Sequence, residues 1–145
     1  MKTSILILTT VISSMAMAAS NLGTEAMKLV PNSKIAHEKG DEVKLQTAQG
    51  GMIEIDFDRK GVFSEASGTN ADQDVFNAPN QLLSLKDAVA AAKKAGKTPA
   101  GKWSLEKETL SGWVYEFAGF ENGKEMEYIV DAKTGALKKS KTDRL

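Results

Sequence analysis

Between Ser84 and Lys139 the apolar residues change their period, and this change restricts the fold more than any other feature of the chain. In SLKDAVAAAKKAG, Leu85, Ala88, Val89 and Ala92 recur at helical spacing and share one face, leaving Lys86, Asp87, Lys93 and Lys94 for solvent. Downstream the period is two. WVYEF sets Trp113, Tyr115 and Phe117 on one side of a strand, and MEYIV sets Met126, Tyr128 and Val130 on one side of the next. A helix with one apolar stripe and strands with one bulky face must cover each other, which makes the class α+β.

The punctuation agrees with the periods. Ser84 stands at an N-cap position with Asp87 three residues on, Gly96 suits the helix end, and Lys93 and Lys94 complement the dipole there. Trp103 and Leu105 share a face of the segment from Gly101 to Lys107, Gly112 turns the chain, and Glu121-Asn122-Gly123-Lys124 reads as a tight hairpin. Asp131 to Gly135 reverses the chain again before Ala136 to Lys138, and residues 141–145 read as a frayed polar tail.

The preceding stretch repeats the plan more faintly. Leu22, Ala26, Leu29 and Val30 share a helical face, Asn21 can cap its start, and Pro31 limits its end. Strands are expected over Lys34–Lys39, Glu42–Ala48, Met52–Phe57 and Val62–Ala66, with turns at Gln49-Gly50-Gly51 and Asp58-Arg59-Lys60-Gly61. IEIDFD at 53–58 lies over MEYIVD at 126–131, a weak internal repeat. Two helix-plus-antiparallel-sheet units, 19–66 and 82–140, would then share one sheet with both helices on one face. Residues 67–81, rich in Gly, Asn, Asp and Pro, read as the linker loop, with Val75 and Phe76 its only bulky apolar pair.

Residues 1–18 read as a signal peptide rather than part of the fold: Lys2 precedes an apolar run from Ile5 to Ile12, and Ala16-Met17-Ala18 is a small-x-small cleavage site. The run falls short of the roughly 20 residues that span a bilayer, so no membrane insertion is expected once it is removed. Its loss takes Lys2 from 19 basic and 19 acidic residues, leaving one net negative charge, too little to steer the chain to nucleic acid. The chain has no cysteine, which excludes thiol catalysis and disulfides and suits a periplasmic (Gram-negative) or secreted protein.

LKDAVAAAKKAGK at 85–97, WVYEF at 113–117 and NGKEMEYIVDAKTGALKK at 122–139 together resemble the PepSY domain, a module of secreted metallopeptidase propeptides and bacterial envelope proteins. LVPNSKI at 29–35 and GGMIEIDFDRKGVF at 50–63 resemble a more divergent copy of it. Such tandem units are similar in fold to beta-lactamase inhibitor proteins. The resemblance implies a non-catalytic protein-binding module. It also implies an inhibitor or regulator of an envelope or secreted peptidase as an alternative, and it carries over no catalytic residues.

The residues offer no assembled enzyme and no cofactor site. His37 stands alone, with Glu38 and Asp41 near it in sequence but Glu38 on the other face of a strand, and there is no HExxH and no nucleophile elbow. Glu54, Asp56 and Asp58 lack the ligand spacing of a calcium loop, and Asp58 and Asp131 read as turn residues. Asp72 and Asp74 in the linker are the better calcium candidates, and a small-ligand or divalent-metal sensor is the third functional reading. Val75, Phe76, Val114, Glu116 and Phe120 are the candidate contacts to a partner or to a second copy in a homodimer: Val114, Ala118 and Phe120 form an apolar strip beside Glu116, opposite the face under the helix.

Overall fold

Asn21–Leu29 forms the first helix, α1, and four strands follow: β1 (Lys34–Lys39), β2 (Glu42–Gln46), β3 (Met52–Phe57) and β4 (Phe63–Thr69). A second helix, α2 (Leu85–Lys94), precedes β5 (Pro99–Glu108), β6 (Gly112–Glu121), β7 (Lys124–Asp131) and β8 (Leu137–Thr142). The computed structural model describes residues 21–69 and 75–142. The expected signal peptide at 1–18 and the calcium candidates Asp72 and Asp74 lie outside them.

All eight strands join one antiparallel sheet in chain order, β1 to β8. The two halves meet edge to edge, β4 on β5, with Ala66 opposite Leu105 and Gly68 opposite Trp103. One row of side chains therefore crosses the sheet from β2 to β8: Val43, Ile55, Ala66, Leu105, Tyr115, Val130 and Leu137 are successive cross-strand partners. All but Leu137 are fully buried in a single core that includes Ala26 of α1, Val30 just after it, and Leu85, Ala88, Val89 and Ala92 of α2.

Both helices lie on that face, α1 over β1 and β2, α2 over β5 and β7. α1 approaches closely because Gly23 has no side chain: a Cβ there would lie 2.5 Å from Ile35 Cδ1. The Ser84 hydroxyl accepts from the Asp87 amide at 3.1 Å and fixes the start of α2. At its end the Gly96 amide donates to Lys93 O and the Lys97 amide to Ala92 O.

The segment 75–83 is the third element on this face, and it corrects the reading of 67–81 as loop throughout. Residues 67–69 extend β4 and pair with Ser104, Trp103 and Lys102. Phe76 is only 1% exposed, its ring 5.0 Å from that of Trp103, and the Asn77 amide donates to Leu29 O at the end of α1. The crossover is thus pinned between the helices. The Tyr115 hydroxyl donates to Leu83 O at 2.6 Å, tying its far end to the sheet. β8 also runs further than expected, pairing through Thr142 with Met126, so Lys141 and Thr142 belong to an edge strand and not to a tail.

Candidate functional site

Among the described residues, no helix or segment covers the other face of the sheet. The strands place charge there by alternation. Glu42, Asp56, Glu65 and Glu106 are successive cross-strand partners on β2, β3, β4 and β5, a row of four carboxylates in direct register. A one-residue bulge opposite the end of β3 keeps Glu65 on this face while Phe63 stays on the inner one. Glu42, Glu54 and Asp56 bring carboxylate oxygens within 4.8 Å of one another. The Lys44 ammonium lies 3.2 Å from Glu42 and 3.0 Å from Glu54, so a protein cation already occupies that cluster.

The row perturbs its own members. Partial burial pushes the Asp56 carboxyl up from its ordinary range, and Glu54, Glu42 and Asp41 push it further while Lys44 pulls it back. Glu65 is raised in the same way, by burial first and then by Glu106, Asp56 and Glu54. Lys44 is raised by its bonds to Glu54 and then Glu42.

One step along the strands, the next row on the same face holds two small residues, Ser67 opposite Ser104, between Glu54 and Glu116, and Ala118 follows Glu116 by two residues on β6. Ser67, Ser104 and Ala118 help line a groove of about 300 Å³, rimmed by Lys102, Glu116, Glu125 and Glu127. Beyond it, at the end of β6, Phe120 is 59% exposed opposite Glu125.

The structure separates the sequence candidates. Glu116 and Phe120 lie on the open face, Glu116 on the groove itself. Val114 does not present a contact surface: it is fully buried between its cross-strand neighbours Glu106 and Asp131, as its neighbour Ile129 is nearly buried between Glu116 and Lys139. Phe76 is core and Val75 is half-buried against it, so this pair holds the crossover down and offers no exposed anchor.

The acidic candidates also part. Asp58 accepts from the Val62 and Lys60 amides at 2.9 and 2.8 Å, which lower its pKa, and it closes the β3–β4 turn apart from Glu54 and Asp56. Asp131 does the same for the β7–β8 turn through the Lys133 and Thr134 amides, both at 2.9 Å. His37 is exposed on edge strand β1, opposite Lys44, with Glu38 opposite Val43 on the other face. Glu42, Glu65 and Glu106 were not singled out by the sequence. Their alternation was visible, but the register that aligns them spans strands up to 64 residues apart in the chain.

Helices closing one face of a continuous antiparallel sheet, with the other face open, define an α+β fold. Residues 82–141 match the PepSY family, described as the peptidase propeptide and YPEB domain. α1 and β1–β4 lie outside that match. No curated protein matches the chain. Among solved structures, a chain described as a lipoprotein of Clostridium difficile 630 is similar at 16% identity and a TM-score of 0.42, over 88% of this chain and 92% of that one. A BLIP-like protein of Bacteroides fragilis NCTC 9343 is similar at 20% identity and a TM-score of 0.43, over 85% of each chain.

Proposed function

We propose that this chain is an exported, non-catalytic recognition protein that docks a protein partner on the open face of its sheet. One observation carries the reading: both helices and the crossover close one face, while the opposite face holds a groove floored by small residues beside an exposed phenylalanine. A two-sided sheet with one polar, uncovered face and an apolar foothold is suited to flat protein contact. The periplasmic or secreted location rests on the N-terminal apolar run and its small-residue site. The reading treats 82–141 as a PepSY unit by its match and the first half as a second such unit by its repeated order of helix and four strands.

The family description favours one refinement, a partner that is a peptidase and is held inactive. The test is retention of envelope protein by the immobilised mature chain, compared with Ser104→Arg/Ala118→Arg and with Phe120→Asp, each checked for native circular dichroism. Saturable retention by the wild type, lost in both variants, is expected. A retained peptidase whose activity falls on binding supports the refinement. The same partner held equally by all three proteins would overturn the reading.

A further inference from the structure

Of the four carboxylates in the row, Glu42 has a cation partner, Lys44 at 3.2 Å, and Lys39 stands opposite it on β1. Asp56, Glu65 and Glu106 are half-buried and, among the described residues, make no ion pair and no side-chain hydrogen bond, while Lys44 is engaged by Glu42 and Glu54. Like charges directly opposite on neighbouring strands oppose pairing, and this row does so across the β4–β5 seam that joins the two halves. A generally acidic chain does not explain it, since basic and acidic residues number 19 each. The row stands on the uncovered face and one register step from the groove, because Ser67 follows Glu65 and Ser104 precedes Glu106 by two residues on the same strands.

Resting on the reading above, we propose that the partner presents a basic, extended segment, with lysine or arginine at alternating positions lying along Glu42, Asp56, Glu65 and Glu106. The dimensions agree. Four strands spaced by about 4.8 Å give a row about 14 Å long, and three alternate residues of an extended chain span about the same distance. That length exceeds what a single ion bridges, and it matches a run of point charges. The groove at Ser67, Ser104 and Ala118 lies beside Glu65 and Glu106, one step along their strands, so a side chain flanking the basic run at that end reaches it.

The test is fluorescence anisotropy of a labelled peptide, Lys-Ser-Lys-Ser-Lys-Ser-Phe, titrated with the whole mature chain at low salt. Saturable binding is expected, weakened at least about tenfold by Glu65→Gln/Glu106→Gln and largely lost between about 50 and 300 mM salt. A peptide with glutamate in place of lysine is expected not to bind. The double variant removes repulsion, so its Tm should equal or exceed that of the wild type, which separates lost binding from lost fold. No saturable binding, or equal binding by the double variant, overturns the proposal. So does a row-dependent calcium isotherm that the peptide cannot displace, or a wild-type dimer that the double variant dissolves, since these give the row to a metal or a second copy. Partner capture that survives Glu65→Gln/Glu106→Gln but not Ser104→Arg/Ala118→Arg would sink this inference and leave the docking reading standing.

Discussion

Asp58 and Asp131 close turns at matching places in the two halves, and both were legible because an aspartate just after a strand and before a glycine reverses the chain by accepting its own backbone amides. Asp131 is the more committed. Partial burial raises its carboxyl, but the Thr134 and Lys133 amides and the Lys138 ammonium at 3.1 Å outweigh this and hold it down to about 2. Its pKa is lower folded than unfolded, so its contribution is present above the ordinary value of 3.8 and is lost as pH falls towards 2. Urea unfolding should therefore show Asp131→Ala less stable than wild type at neutral pH, with the gap shrinking steadily below about pH 4. A gap independent of pH would contradict this. Tyr115 was expected to pack, and its hydroxyl was not: the partner, Leu83 O, lies in a crossover whose path no periodicity reports. Tyr115→Phe should cost about 1–3 kcal/mol by leaving that buried carbonyl unpaired, read from the denaturation midpoint; an unchanged midpoint would show the bond to be dispensable.

Elements were legible where two signals coincided. α2 had both its stripe and its cap at Ser84, and the β6–β7 hairpin had Asn122 and Gly123, which take positive φ of 52° and 75° as a two-residue turn requires. β8 runs past its sequence signal because LKKSKT shows no alternation, a lysine-rich composition that suits an edge strand. Register was the larger loss. Within one strand Glu42, Glu65 and Glu106 look like ordinary solvated positions, and only pairing turns them into a row. The raised carboxyls of Asp56 and Glu65 make a prediction at this scale. A folded pKa above the unfolded one stabilises fully below the unfolded value and loses that advantage as pH rises through the folded one. These two groups should therefore favour the fold on acidification from neutral pH down to about the ordinary carboxylate values, 3.8 and 4.5. Asp56→Asn/Glu65→Gln should flatten the dependence of Tm on pH in that window relative to wild type. An identical pH profile in the two proteins would show that the row carries no such strain.

Across the whole molecule, the class and the shared sheet were readable from periodicity, while the closed seam between halves was not. Glycine at 68 hides it: this small residue in a polar stretch is where Trp103 lies flat, its indole nitrogen donating to Thr69 O at 3.1 Å. One core crossing that seam implies one unfolding transition. Ile55→Ala, in the first half, should cost about 2–5 kcal/mol and shift the tryptophan fluorescence transition as far as the circular dichroism one, although Trp103 and Trp113 both belong to the second half. A fluorescence midpoint left in place would mean that the halves melt separately. The open face follows from the same continuity, since α1, the crossover and α2 all lie on one side of the sheet and, among the described residues, leave the other broad face uncovered. The most direct measurement is an NMR titration of the isotopically labelled chain with the partner captured by the open face. Shifts centred on Ser67, Ser104, Glu116, Ala118 and Phe120 are predicted; shifts centred on residues 75–81 or on the exposed sides of the helices would contradict the account.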